Sequence, residues 1–472
     1  MTRGLISAAV AFGVICRVRQ YTANTSLWHD ESFVALNVID TSLTGMFGAP
    51  DWHEPSPPGF LALEKLVVAA LGPSEYALRA LPLLAGIAAL MAFARLARRV
   101  CASEAAALLA VGLFAASAKL ITDASQVKHF TFDALIATML AGLTWRICRD
   151  GAPRPSRLWW WGATAAIGPW FSYATVFGFA ATSFILAGPA LRRWPLRSRS
   201  AYLRANLLVL VSAAALLLPV TAQRGAAVVQ FWSHAFPDVS GPLPSVVWLA
   251  RSLVALFDYF WQPFGGLLLV SAALAVAACR RTARRPLLRL LWLPVGLALL
   301  AAALHWWPFG GNQHMAFAAP AVLVFAADGV ELVRRRLIGR QPRLAWAALA
   351  LLLAPGLFGA LYHLIVPRQR HELRAVIAYV QQQSAPGDQL AVFDAATFKF
   401  YTGRDVRSAP LQFSSAVRVW VITPRSKHGV LHPDVRDFVG RLERARPRLG
   451  AMETYGAAAY LFGAAPDGVS PP

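Results

Sequence analysis

The stretch AAALLAVGLFAASAKLITDASQVKHFTFDALIATMLAGLTWRI, residues 105–147, decides how the rest of the chain is read. Two apolar runs flank one short polar turn holding Asp123, Gln126, Lys128, His129 and Asp133. Each run is close to the roughly 20 residues needed to cross a hydrocarbon core. Arg98 and Arg99 precede the first run, and Arg146 and Arg149 close the second. Two membrane spans with both basic ends on one side account for this arrangement.

The pattern extends in both directions. The chain has 472 residues, of which 57% are hydrophobic, and its mean hydropathy is +0.49. A soluble domain must carry more charge on its surface. Eleven spans are expected, near 4–18, 77–96, 105–121, 132–147, 158–171, 174–191, 207–222, 265–279, 287–304, 316–332 and 345–365. The pair flanking Ser172 is short on both sides and could be one broken segment. The first run resembles a signal peptide, but no small-x-small cleavage site precedes Trp28, so it is read as a retained span.

The formal charge of +21 raises the question of nucleic acid. Its distribution answers that question. Arginines concentrate in every second loop: Arg95, Arg98 and Arg99; then Arg146 to Arg157; Arg192 to Arg204; Arg280 to Arg289; and Arg334 to Arg340. These are read as cytoplasmic, and the chain as an integral, multi-pass protein of the cytoplasmic (inner) membrane with no nucleic-acid partner. The intervening loops then face outward, and an odd number of spans places the C-terminal tail there too. Cys16, Cys101, Cys148 and Cys279 all fall in or near apolar runs, so no disulfide framework is expected.

The first outer segment is not plain loop. Phe33, Leu36, Ile39 and Leu43 recur at helical spacing with Asn37, Asp40, Thr41 and Thr44 opposite, as in an interfacial amphipathic helix. Pro55, Pro57 and Pro58 end it, and 59–70 reads as a second such helix. From Arg368 onward the pattern changes. Helical stripes at Leu373, Val376, Ile377 and Val380 and at Val435, Phe438, Val439 and Leu442 alternate with strand-like runs at 389–393, 417–422 and 458–462. The fold class expected is a polytopic α-helical membrane protein, residues 1–366, with a small C-terminal α/β domain, 367–472.

Four polar clusters fall on the outer side. In the first, Asp30 and Glu31 follow Trp28 and His29; paired carboxylates at a membrane surface are costly unless solvated or used, although helix capping is the plainer explanation. The second, His53 and Glu54 before the prolines, reads equally as a turn between helices. The third is the 123–133 turn. Its Lys128 suits a lipid phosphate but also a snorkelling lysine, and Asp133 begins a span. The fourth follows Trp306 and Trp307: an aromatic belt explains the tryptophans, but not Asn312, Gln313 and His314 in succession. A base, a phosphate holder and polar sugar contacts are thus all available on one side.

The motifs resemble those of polytopic glycosyltransferases with the GT-C architecture, nearest the group of protein O-mannosyltransferases and lipid A aminoarabinose transferases. The likeness runs in order through WHDE at 28–31, SPPGF at 56–60, GPSEYALR at 72–79, QVKHFTFD at 126–133 and WPFGGNQH at 307–314, then ELR at 372–374 and PGD at 386–388. It implies a polyprenyl-phosphate-linked sugar as donor and an inverting transfer to a glycan, lipid or protein acceptor on the outer face. Asp30 is then the catalytic base with Glu31 as its neighbour, and Lys128 and His129 meet the donor phosphate. His53, Glu54, Gln126, Asp133, Asn312, Gln313 and His314 serve as sugar or acceptor contacts. No cofactor is required; a divalent metal held by His53, Glu54 and His314 is compatible with the sequence but nothing in the spacing compels it. The sequence departs from relatives at Gln126, where an acid is common, at Gln313, where an arginine is common, and at Ser56, where aminoarabinose transferases carry lysine. A transporter or lipid-linked sugar flippase is the main rival reading, and a non-catalytic assembly or sensor protein the third.

Overall fold

A computed structural model describes residues 2–48, 52, 54–150, 153–222, 226–280, 282, 284–338, 341–406, 413–426 and 429–465. The helical part comprises α1 (Thr2–Thr22), α2 (His29–Asp40), α3 (Pro58–Leu71), α4 (Glu75–Val100), α5 (Glu104–Ala116) and α6 (Ala118–Asp123). It continues with α7 (Phe130–Arg149), α8 (Pro155–Ile167), α9 (Thr175–Arg192), α10 (Leu196–Ala222) and α11 (Ala226–Phe231). Then follow α12 (Pro242–Phe260), α13 (Gly265–Cys279), α14 (Arg285–Ala303), α15 (Ala319–Ile338) and α16 (Pro342–Ile365). All four cysteines are free thiols.

Seven described helices are long and apolar enough to cross a membrane. Six of them, α4, α7, α9, α14, α15 and α16, coincide with expected spans. The other expected spans correspond to α1, α5, α8, α10 and α13; of these α5, α8 and α13 have only 13, 13 and 15 residues. The seventh helix, α12, falls where an outer loop was expected. It is helical because its apolar residues share one face, with Ser252, Leu256, Phe257, Tyr259 and Phe260 buried. Gly310 and Gly311 press on its Ser252 and Ala255, and its Tyr259 reaches Asp123. Both contacts are with turns at the end remote from the arginines, while its Leu253 and Phe257 line a cavity with Arg193, Arg280 and Arg289. Ser172 separates two distinct helices: α8 packs on α10, whereas α9 packs on α7 and α14.

Arginine-rich turns meet at the other end. Arg284 donates to Asp328 Oδ2 at 2.6 Å and to the Val100 carbonyl at 2.5 Å, while Asp328 Oδ1 accepts from the Ala102 N–H at 2.8 Å. One cation sits deep between helices. Arg17 in α1 is fully buried and donates to the carbonyls of Gly13, Phe114 and Ala115 at 2.9, 3.3 and 3.3 Å. The last two are carbonyls that α5 leaves without helical partners where it breaks at Ser117, so the cation caps a helix C-terminus.

The C-terminal part is an α/β unit: α17 (Leu373–Gln383), β1 (Gln389–Val392), α18 (Ala395–Thr402), β2 (Val419–Pro424), α19 (Pro433–Ala445), β3 (Arg448–Thr454) and β4 (Ala457–Phe462). The sheet order is β1-β2-β4-β3, with β1 and β2 parallel and the other pairs antiparallel. β2 and β4 read as strands because they are central and buried. β3 was not anticipated; it is an edge strand with little apolar content. α18, also unanticipated, is the helix that docks this unit onto α2. The polar side of α2, expected to face water, is therefore covered, and Asn37 is buried.

Candidate functional site

The site is built around the first turn of α2. Trp28 is the N-cap residue and makes no side-chain cap. Asp30 does not cap the helix either: its carboxylate has no hydrogen bond or ion pair among the described residues and is half-buried. The capping explanation for the acid pair therefore fails locally. Asp30 keeps only the general advantage of a carboxylate near a helix N-terminus.

Glu31 is held quite differently. It is buried, with its Oε1 accepting from Arg79 Nε at 3.0 Å and its Oε2 from Arg79 Nη2 at 2.8 Å. Oε1 also accepts the Val127 N–H at 2.8 Å. Arg79 further donates to the carbonyls of Thr25 and Ser26 at 2.6 and 3.4 Å. With both oxygens engaged, Glu31 is a positioning residue. It locks α2 to α4 and fixes the turn that carries Gln126, Lys128 and His129.

The Val127 tether places Lys128 beneath Trp28. The lysine is fully buried, its Nζ 6.0 Å from the indole centre and ion-paired with Glu54. Glu54 reaches it because Asn37 clamps the neighbouring backbone: Asn37 Nδ2 donates to the Trp52 carbonyl at 2.9 Å and Oδ1 accepts the Trp52 N–H at 3.1 Å. His53 lies outside the described residues. His129 is buried beside Phe130 and Tyr173, and its Nδ1 has no partner. Burial, with His314 and Lys128 alongside, pushes its imidazole well below the usual range, so it is a neutral ring.

The remaining expected residues are placed unevenly. Gln126 and Asp133 are buried nearby; Asp133 engages Ser172, whereas Gln126 Oε1, Ser56 Oγ and Thr131 Oγ1 lack partners among the described residues. Such orphaned polar atoms are costly unless a ligand or water completes them. His314 stands edge-on to Phe130 at 5.1 Å and close enough to Lys128 to sense its charge. Asn312 is occupied with its own turn, its Oδ1 accepting the His314 N–H at 3.1 Å and its Nδ2 donating to the Pro308 carbonyl at 3.4 Å. Gln313 is half-buried. Among the described residues no three His, Cys, Asp or Glu side chains are grouped as a metal site.

Sequence reasoning missed three participants. Asp394, the N-cap of α18, takes a hydrogen bond from the Thr397 N–H and pairs with His29 Nδ1 at 3.0 Å. That hydrogen bond is the main influence raising the His29 imidazole above its ordinary value, against the opposing effect of burial. Arg79 appeared in the sequence only as part of a motif. Arg370, in the segment between α16 and α17, lies with Cζ 3.6 Å from the Trp28 ring centre. No local signal marked it. The Glu372, Leu373 and Arg374 motif and the Asp388 turn prove structural: Arg374 donates to Glu75 at 2.7 Å, and Asp388 pairs with Arg418 at 2.6 Å.

A cavity of about 1370 Å³ lies elsewhere. Leu269, Val276, Trp292, Phe184 and Arg280 help line it toward the arginine-rich end, and none of the candidate residues does. The acid-rich cluster, not this cavity, carries the chemistry-bearing groups.

The chain was compared with known proteins. No family model matches it, and no curated protein does. Solved structures do. ArnT from Cupriavidus metallidurans bound to undecaprenyl phosphate superposes with a TM-score of 0.55 at 13% identity, covering 97% of this chain and 98% of that one. The same protein in the apo state gives 0.56 at 13% identity, over 96% and 98%. The Archaeoglobus fulgidus oligosaccharyltransferase complexed with zinc and sulfate gives 0.50 at 14% identity, over 84% of this chain; the match spans 61% of that protein's length. The likeness is one of fold: the chain has the GT-C architecture of membrane glycosyltransferases.

Proposed function

We propose that this chain is an inverting glycosyltransferase that moves a sugar from a polyprenyl-phosphate donor to an acceptor hydroxyl on the extracytoplasmic side of the membrane. One observation carries the reading: Asp30 is a carboxylate without a partner among the described residues, at a helix N-terminus beside cationic side chains and orphaned polar atoms, on a fold shared with a protein solved with a lipid phosphate. The position of the arginine-rich turns, all at the opposite end, supports the outward assignment. Residues 1–366 form the transferase part and 367–472 an extracytoplasmic cover.

Asp30 accepts the proton of the acceptor hydroxyl. That oxygen attacks the anomeric carbon from the side opposite the phosphate, and the carbon–oxygen bond to phosphate breaks with its electron pair left on the phosphate. Configuration inverts. A positioned base contributes about 10²- to 10⁴-fold. Lys128, its charge balanced by Glu54, offers N–H donors to the departing phosphate, as does neutral His129. Gln126 has an oxygen open to a sugar hydroxyl; Asp133, Glu54, Gln313 and His314 are the further contacts, while Asn312 shapes the turn. No step is routed through a metal.

The test is Asp30→Asn in a strain lacking the gene. The wild-type chain restores the missing surface sugar and clears the accumulated lipid-linked precursor. The variant, at equal membrane abundance, is expected to restore neither. Full complementation by the variant removes Asp30 from the mechanism.

A further inference from the structure

Residues 366–372 join α16 to α17 and carry Arg370 to Trp28. The strap is pinned on both sides. Upstream, Gln20 of α1 grips Arg368 by its backbone, donating to the carbonyl at 2.6 Å and accepting the N–H at 2.9 Å. Downstream, the Glu372 N–H donates to the Tyr455 carbonyl at 2.8 Å, and Thr454 Oγ1 donates to the Glu372 carbonyl at 3.2 Å. Both partners belong to the β3–β4 hairpin. Its Gly456, at φ +70°, lies directly under the strap: a Cβ there would stand 2.2 Å from the Arg370 carbonyl oxygen. The hairpin thus fixes where the Arg370 backbone runs, and the side chain extends over the indole of Trp28.

Two cations share that ring, Arg370 with Cζ at 3.6 Å and Lys128 with Nζ at 6.0 Å from its centre. Both cations are therefore placed by the same indole. Their states differ. Lys128 is buried and already neutralised by Glu54. Arg370 is exposed and has no carboxylate within ion-pairing distance among the described residues, although Glu31, Asp30 and Asp123 lie near enough to act on it electrostatically.

We propose that Arg370 is a ligand of the donor's phosphate, held over Trp28 by the hairpin of the C-terminal unit. The inference rests on the glycosyl-transfer reading and assigns the C-terminal unit a part in that same site. A phosphate arriving next to the Lys128–Glu54 pair meets an assembly with no net charge, whereas Arg370 offers an unspent one. A guanidinium stacked by its face keeps its N–H edge available for two parallel hydrogen bonds to phosphate oxygens, which a lysine cannot supply. In the transfer, the phosphate diester of the donor, with one negative charge, leaves as a monoester bearing two once the glycosidic bond breaks and the acceptor proton passes to Asp30. Arg370 therefore holds the leaving group more strongly than the intact donor.

The experiment measures binding of undecaprenyl phosphate, and of neutral undecaprenol, to the purified full-length chain in nanodiscs, followed by tryptophan fluorescence. Arg370→Ala is expected to weaken undecaprenyl phosphate about ten- to hundredfold, the range of a hydrogen bond to a charged group, and to leave undecaprenol unchanged. Arg370→Lys recovers only part of the loss. Gly456→Val weakens the phosphate lipid while Arg370 itself is intact; should that variant not fold, the two Arg370 variants decide alone. Equal binding of undecaprenyl phosphate by wild type and Arg370→Ala overturns the assignment. A wild type that does not prefer the phosphate over the alcohol instead overturns the glycosyl-transfer reading, so the two failures are distinct.

Discussion

Replacing Glu31 by Gln separates a positioning acid from a chemical one. The substitution keeps the shape and one acceptor oxygen for the Val127 N–H but removes the charge that Arg79 grips through two nitrogens at 3.0 and 2.8 Å. Arg79, 3% exposed, is left with neutral acceptors only, the amide oxygen and the Thr25 and Ser26 carbonyls. Removing one partner of a buried ion pair costs about 3–5 kcal/mol, because the remaining charge stays desolvated and uncompensated. At roughly 1.4 kcal/mol per tenfold, that lowers the population of the assembled site by about 10²- to 10⁴-fold relative to its alternatives. Replacing both partners by uncharged groups is often nearly neutral. The double variant Glu31→Gln, Arg79→Met is therefore expected to regain most of the melting temperature that Glu31→Gln loses, read by tryptophan fluorescence on purified protein. It should regain transfer activity in parallel. A double variant as stable as wild type yet as inactive as the single one would show Glu31 taking part in the reaction, and the positioning argument would be refuted.

Three further expectations follow from other contacts. Lys128→Ala strands Glu54 and should raise the donor KM more than the acceptor KM; the opposite pattern reassigns the lysine to the acceptor side. His29 is held above its ordinary value of 6.5 by Asp394, so the pair's contribution to docking is fully present below about pH 6.5 and fades as pH rises through the raised value. Hydrogen exchange of residues 395–402 should accelerate over that upward range in the wild type but show no such step in His29→Gln; an identical profile would exclude the pair as the cause. Gly329→Ala drives a methyl into the Ser271 carbonyl, 1.8 Å from the ideal Cβ position, where α15 crosses α13. Overpacking of this kind costs about 1–3 kcal/mol or more, and an unchanged melting temperature would mean that the two helices separate freely.

The helical scaffold was legible because membrane burial imposes one simple rule on many residues at once. Apolar runs of span length and alternating arginine turns located α4, α7, α9, α14, α15 and α16. The same rule passed over α12, whose apolar run is interrupted by Arg251 and Asp258 and begins at Pro242 and Pro244. Short pieces such as α5 were hard to bound, as their ends are completed by distant groups: Arg17 caps carbonyls 97 and 98 residues away in sequence. In the site, the acids could be found but not sorted. Asp30 and Glu31 are adjacent in the chain, and only tertiary structure makes one of them an anchor, through Arg79 48 residues on. Arg370 lay in a linker with no periodicity and owes its position to a hairpin more than 80 residues later, which sequence spacing does not encode.

The charges around α2 set what the site can accept. Glu31 with Arg79, Glu54 with Lys128, and Asp394 with His29 are three pairs, each closed by contacts of 3.0 Å or less. Closed pairs attract an incoming anion weakly, because each field falls off as a dipole rather than a charge. What is left, among the described residues at Trp28, is Asp30, two positions on in the chain, and Arg370, stacked on its ring, joined by no ion pair. A donor phosphate settling on Arg370 occupies a cation that would otherwise be drawn to Asp30, and so leaves the acceptor hydroxyl without that competitor for the carboxylate. Donor binding would thereby prepare the base, which requires the donor to bind before the acceptor. Steady-state kinetics should then show an ordered mechanism in the wild type and lose that order in Arg370→Ala; a random order in both would disconnect the two groups.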